Sequence, residues 1–384
     1  MIKAKTVIAL AVVAGVAIGA SFLIERRDTT RVATGPASSA ALLPELKSRI
    51  NDVAKVVITR GGTNITLERR DAQWTIAERS HYPADKGKLR GLMIGAAELN
   101  IVEPKTANKE LLPQLGLTDP MQPLDATGNG ATLLTFFDAN GQSMAGVIVG
   151  NERPSKVAGA ERKDYYVRKP DNDQSYLVEG NLPLPKKAQD LLEKDLLTID
   201  AARVQRVTIT HSDGEKVVIA KDAVDAADFR LVEPASTKPL KSAFEVNNIA
   251  NTFARLVADD VKATAEVPMS AQNKFVALLE TFDGLRVTLT IKAVDGQSYG
   301  ALSAEFVAPP ATATTPATAD TPAPAADKTQ DKPAASKADP DTVRKEAEAI
   351  TTRFSDWSYL LAEYQVDNIG KHAKDLFKTD EAPP

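Results

Sequence analysis

The sequence predicts an α+β chain: two tandem repeats, each a mainly antiparallel sheet with one or two packed helices, set behind an N-terminal transmembrane helix. Three observations carry this prediction. An uncharged apolar stretch runs over residues 6–24 and is closed by Glu25, Arg26 and Arg27. Short segments of alternating apolar and polar residues follow, separated by Gly, Asp and Asn turns and broken once by a stretch of helical period. The same order of elements then occurs a second time.

The chain has 384 residues, enough for two ordinary domains. Its composition, 43% hydrophobic and 26% charged, is that of a globular protein. The net charge of −4 lacks the basic excess that displaces counterions from phosphates, so no nucleic-acid partner is expected. Cysteine is absent, which removes disulfides, thiolate metal sites, cysteine nucleophiles and a cysteine-borne lipid anchor.

Taken in order, residues 1–27 form the anchor. Lys3 and Lys5 precede an apolar run whose length approaches that of a membrane-spanning helix. A cleaved signal peptide is the alternative, with small residues at Ala17 and Gly19, but its apolar core is usually shorter. The short basic tail before the run places the bulk of the chain outside the inner (cytoplasmic) membrane, as a single-pass protein facing the periplasm. Residues 28–45 are small and polar, are interrupted by Gly35-Pro36, and read as a linker.

The first repeat spans 46–197. Val53, Val56, Ile58, Ile65 and Leu67 alternate around Gly61-Gly62 as a hairpin, and Trp74-Thr75-Ile76 adds a third strand. Pro83 breaks that pattern, and Asp85 is placed to cap a helix carrying Leu89, Leu92, Met93, Ala96, Ala97 and Leu99. A strand over 132–137 turns at Asp138–Gly141 into Val147-Ile148-Val149. Tyr165-Tyr166-Val167 and Tyr176-Leu177-Val178 make a further hairpin, and a short helix near 186–192 ends the unit. The second repeat, 198–384, restarts with Val204, Val207 and Ile209, a turn at Ser212-Asp213-Gly214, and Val217-Val218-Ile219. Phe229-Arg230-Leu231 stands in place of Trp74-Thr75-Ile76, and a helix after Pro239 carries Phe244, Val246, Ile249, Phe253 and Leu256. Residues 278–284 echo 133–138, residues 287–291 supply the partner strand, and Tyr359 to Phe377 mirrors Tyr176 to Leu192. Ile350, Phe354, Trp357 and Leu361 fall at helical spacing and predict a C-terminal helix packed on the sheet. Residues 308–341 hold Ala, Pro, Thr, Asp and Lys with almost no large apolar side chain, and are expected to be a disordered insertion.

No local pattern for catalysis stands out. The histidines are His81 in a loop, His211 at a strand end and His372 in a C-terminal helix; none lies at metal-ligand or catalytic spacing, and each reads as a surface or packing residue. There is no nucleophile elbow or phosphate-binding loop. Asp171, Asn172 and Asp173, and likewise Asp222, Asp225 and Asp228, lack the glycine and distal glutamate of a calcium loop and read as turn residues. Trp74, Trp357, Tyr82, Tyr165, Tyr166 and Tyr359 read as core rather than as a sugar-stacking surface. No enzyme activity, cofactor or metal is expected.

The repeat's signature residues are Trp74, Tyr82, Pro83, Asp85, Phe229, Trp357 and Tyr359. An anchor, a hairpin, the Trp74-Thr75-Ile76 strand, Tyr82-Pro83-Ala84-Asp85 before a helix, and Asp195-Leu196-Leu197 before a Val207-Thr208-Ile209 strand together resemble the bacterial domain-of-unknown-function family numbered 4340. The resemblance covers all but the anchor and the insertion. It implies a membrane-anchored, non-enzymatic envelope protein, an accessory or scaffold of an ABC-type transport or export assembly whose subunits would be its partners. It supplies no catalytic residues. The second copy departs from the first at Phe229 and Thr237-Lys238-Pro239. The alternative function is a periplasmic module binding a glycan or small molecule in the cleft between the repeats.

Overall fold

A computed structural model describes residues 40–154, 163–268, 272–309 and 339–378. The anchor, most of the 28–45 linker and most of the 308–341 insertion lie outside the described residues. Among the described residues no helix is long and apolar enough to cross a membrane.

The chain is α+β and forms two antiparallel sheets. A short helix α1 (Pro44–Ser48) leads into β1 (Lys55–Arg60), β2 (Thr63–Arg70), β3 (Gln73–Ile76) and β4 (Tyr82–Pro83). Helix α2 (Lys86–Ala97) follows, then β5 (Asn100–Pro104), β6 (Thr132–Phe137), β7 (Ser143–Pro154), β8 (Lys163–Arg168) and β9 (Ser175–Gly180). The sheet order is β4-β3-β2-β1-β6-β7-β8-β9-β5. The second half supplies β10 (Val204–His211), β11 (Lys216–Ala220), β12 (Arg230–Glu233), α3 (Ala243–Ala254), β13 (Ala258–Ala263), β14 (Asn273–Thr281), β15 (Leu285–Val294) and β16 (Gln297–Phe306). Helix α4 (Pro340–Phe354), β17 (Trp357–Leu361), α5 (Glu363–Ile369) and α6 (Ala373–Leu376) complete it. Its sheet order is β12-β11-β10-β14-β15-β16-β17-β13.

Leaving β4 aside, the two orders are the same strand for strand, so the architecture is a repeated, sheet-rich one. The correspondence extends to local chemistry. Asp85 caps α2 by accepting from the Lys88 N–H, and Ser242 caps α3 by accepting from the Glu245 N–H. Lys187-Ala188-Gln189-Asp190-Leu191 closes the first half as a 3-10 turn in which Asp190 accepts from the Lys187 N–H, and His372-Ala373-Lys374-Asp375-Leu376 closes the second as an α-helical turn in which Asp375 accepts from the His372 N–H. The backbone N–H of Asp85 donates to the Leu191 carbonyl at 2.8 Å, and that of Lys241 donates to the Leu376 carbonyl at the same distance.

Each sheet wraps its helix for a topological reason. The strands before and after α2 lie at or near opposite edges of the sheet, so the helix must cross it. Its apolar side, with Leu89, Leu92, Ala96 and Ala97, is buried. The same crossing brings α3 over the central strands β10 and β14. Gly61 and Gly62 both have positive φ, the geometry of the two-residue hairpin turn between β1 and β2. Most buried apolar side chains of both halves form one contiguous core, beside a smaller cluster of Leu112, Leu117, Ala131 and Ile148.

Three local features differ from the sequence reading or extend it. Residues 40–43 already pack on the first half: Leu42 and Leu43 are buried, and Ala41 bridges Asn100 at the β5 edge. The predicted C-terminal helix stops at Phe354. Trp357 and Leu361 continue its helical spacing but lie on β17, where they pair with β13. The break comes at Ser355 and Asp356, and the β-rich run Trp357-Ser358-Tyr359-Leu360-Leu361 then finds a strand partner. The third concerns the insertion. A turn of a few residues joins β8 to β9, whereas the equivalent strands β16 and β17 are separated by residues 307–356, which include α4. Helix α4 docks on β16, with Thr351 Oγ1 donating to the Ala304 carbonyl and accepting from its N–H.

Gly95 provides a test of the helix docking. A Cβ at this position would sit 2.3 Å from the Asn181 carbonyl oxygen, which is backbone and cannot swing away. Helix propensity alone makes Gly95→Ala stabilising by about 1 kcal/mol. Against this contact the substitution is expected to be destabilising by about 1–2 kcal/mol. A urea-unfolding midpoint above that of the parent chain would show that α2 can move away from β9 freely.

Candidate functional site

Two places in the fold gather chemistry-bearing side chains. The first is the junction between the halves. The turn before β4 and the end of the first half contribute Arg79, Ser80, Tyr82, Gln189 and Glu193. The second half contributes Asp260 on β13, Glu266, Arg353, Trp357 and Tyr359. Arg79 donates to both Asp260 oxygens, at 2.7 and 3.1 Å, and Gln189 Nε2 donates to Asp260 Oδ2 at 2.7 Å. Ser80 donates to Glu266 at 2.8 Å. Arg353 donates to the Glu193 carboxylate and to the Asp195 carbonyl. Beneath these contacts Tyr82 meets Trp357 edge to face at 5.2 Å and Tyr359 at 6.0 Å, and its hydroxyl donates to the Glu193 carbonyl. Tyr359 is fully buried. Burial, and after it the neighbouring Tyr82, pushes its phenol far above the ordinary tyrosine range. The junction is therefore packed with side chains and joined by these polar pairs, while the buried Tyr359 hydroxyl has no hydrogen-bond partner among the described residues.

The second place is the end of the β10–β11 hairpin. His211 is the last residue of β10, and Glu215 follows across a turn in which Gly214 has positive φ. His372 is the N-cap of α6. The imidazoles of His211 and His372 stack with centroids 3.9 Å apart and planes 15° from parallel. Glu215 Oε2 contacts His372 Nδ1, and its Oε1 accepts from the Ala373 N–H at 3.0 Å. Burial lowers the His211 pKa, and the neighbouring His372 adds to that effect. Burial alone would raise the Glu215 carboxyl, but the bonds from His372 and Ala373 outweigh it and leave it below the ordinary value. Such a trio can orient an imidazole or ligate a cation.

Five surface pockets of about 320–410 Å³ accompany these features. Each is lined from one half alone, and none of the five includes His211, Glu215 or His372.

Of the signature residues, the structure brings Tyr82, Trp357 and Tyr359 together at the junction. Trp74 lies half-buried on β3 against the core, and Pro83 lies on β4. Asp85 caps α2, and Phe229 is buried just before β12 with Lys221 over its ring. Tyr165 is buried and Tyr166 partly so. The two acidic triplets serve turns and pairs: Asn172 accepts from the Gln174 N–H, Asp173 pairs with Lys109, Asp222 with Arg230, and Asp228 accepts from Asn247. His81 sits in a positive-φ turn and is not part of the trio. Sequence reasoning did not find the meeting of His211, Glu215 and His372. The hint available was the rarity of histidine, but nothing in the linear spacing joins residues 211 and 372.

No curated protein and no solved structure matches the chain. One family does, described as a domain of unknown function, over residues 74–301. That span is narrower than the coverage the resemblance implied. It still includes more than half of the chain, running from β3 of the first sheet into β16 of the second. With the matched span crossing the packed junction, the chain belongs to the DUF4340 family.

Proposed function

We propose that this protein is a non-catalytic, membrane-anchored envelope component that works as a rigid accessory or scaffold in an ABC-type transport assembly. The observation that carries this reading is the junction. Two like sheets share one core and are locked by edge-to-face aromatics and a two-pronged Arg79–Asp260 pair. A body of this kind transmits position rather than opening and closing on a ligand. The apolar run over residues 6–24 supplies the membrane attachment. The edge strand β12 and the segment between β16 and α4 supply contact surface, strand addition being a common way to recruit a partner. The cleft-binding alternative is less well supported, because the Tyr82, Trp357 and Tyr359 rings at the junction pack edge to face on one another.

The test is photo-crosslinking in intact cells from two positions, one at Arg230 on β12 and one within the 308–341 segment, followed by mass spectrometry of the membrane fraction. Permease or ATPase subunits should be recovered from at least one position. If the protein fractionates with membranes and neither position captures a transporter subunit, the accessory role is wrong.

A further inference from the structure

We propose that His211, Glu215 and His372 form a binding site for a divalent transition-metal ion of the zinc class, clipping the C-terminal segment onto the β10–β11 hairpin. One donor atom from each of the three residues lies within 4.8 Å of the other two. Metal bonds of about 2.0–2.1 Å in a tetrahedral arrangement need donors closer than this and each ring plane aimed at the ion, so the two imidazoles must turn out of their parallel stack, and the carboxylate with them, to complete the site. Two imidazoles and one carboxylate are the donor set of borderline divalent ions. Calcium and magnesium, which favour oxygen ligands, are disfavoured by it. Three protein donors leave a fourth position for water.

Several features mark the site as built. The chain contains three histidines, and two of them, from positions 211 and 372, stack on each other beside a glutamate. Each ligand stands on a constrained element. The His211 N–H donates to the Glu215 carbonyl across the hairpin turn, and Asp213 accepts from the Glu215 N–H. The His372 N–H is held by Asp375 within the capping box. Backbone groups surround the trio: the Lys371 carbonyl lies 3.4 Å from His211 Nε2, and the Ala373 N–H holds one oxygen of Glu215. Outer contacts of this type fix the orientation of metal ligands. The side chains of Glu215 and His372 are 30% and 35% exposed, which leaves the ion a way in. The first half offers a comparison within the same molecule. Its closing turn is held in the same way, Asp190 accepting from the Lys187 N–H as Asp375 does from the His372 N–H, but Lys187 stands where the second half has His372. The fold therefore does not require a histidine at this position.

The untagged full chain, stripped with chelator and titrated with Zn²⁺ by calorimetry, should bind one ion per chain, confirmed by elemental analysis after gel filtration. His372→Gln and Glu215→Gln should each weaken binding at least about 100-fold, since they remove direct ligands. His81→Gln should leave it unchanged. Glu215→Gln retains the shape and the acceptor for the Ala373 N–H, and the thermal midpoint of the metal-free variants checks folding. Independently, Co²⁺ on the parent chain should give visible bands with the intensity of four-coordinate geometry. The proposal is overturned by the absence of one-to-one binding to the parent chain, or by His372→Gln and Glu215→Gln variants that fold and bind as tightly as it does.

Discussion

Tyr359→Ala is expected to lower the free energy of unfolding by about 3–5 kcal/mol, the cost of emptying a fully buried aromatic site. The side chain sits on β17 and is packed edge to face against Phe354 at 5.5 Å and Tyr82 at 6.0 Å. Because Tyr82 belongs to the first half, the loss reaches across the junction. Urea unfolding followed by tryptophan fluorescence reports on both halves, through Trp74 and Trp357. A shared core predicts one transition that moves as a whole. Tyr82→Ala should act in the same direction. The double variant should fall short of the sum by about 0.5–1.5 kcal/mol, the extra worth of an aromatic pair. Two separable transitions, with Tyr359→Ala shifting only one of them, would show that the halves fold independently and would weaken the rigid-scaffold reading.

The repeated architecture could be read from the sequence because its signals are local. Gly61-Gly62 and Asp138–Gly141 mark hairpins, Asp85 marks a helix start, and the alternation of Val56, Ile58, Ile65 and Leu67 marks a half-buried sheet. The edge strands β5 and β13 were not legible. Asn100–Pro104 is mostly exposed and ends in proline, and Ala258–Ala263 carries Asp259, Asp260 and Lys262; both lack the apolar alternation of a central strand, as edge strands tend to. Trp357 and Leu361 misled because positions 350, 354, 357 and 361 satisfy a helical period even across a helix end. The His211–Glu215–His372 trio was hidden for another reason. Its members meet only when α6 folds back onto the β10–β11 hairpin, a contact set by the topology of the whole second sheet.

Arg203 is a comparable case, invisible in the sequence and central in the structure. It stands just before β10 and donates from Nε to Asp283 in the β14–β15 turn at 2.8 Å. Its other two nitrogens donate to Glu346 on α4 at 3.0 and 2.7 Å. Its pKa is pushed further above the ordinary arginine value, first by the bonds to Glu346 and then, against the effect of burial, by those to Asp283. One side chain thus ties the start of the second half to the helix through which the chain returns after residues 310–338. Arg203→Met is expected to cost about 2–3 kcal/mol. This is less than breaking a fully buried pair, because the arginine remains 30% exposed, but more than a surface pair, because Asp283 at 10% exposure is left without its cation. Glu346→Gln, at a more exposed position, should cost under about 1 kcal/mol. Adding Asp283→Asn to Arg203→Met should recover part of the loss, since it removes the uncompensated charge. Limited proteolysis supplies the structural readout: cleavage within residues 339–354 should accelerate in Arg203→Met and stay near the parent rate in Glu346→Gln. Replacing residues 310–338 with a short Gly/Ser linker should leave the Arg203→Met effect unchanged if α4 is held by its contacts. A loss that disappears in that shortened chain would mean the tether, not Arg203, positions the helix.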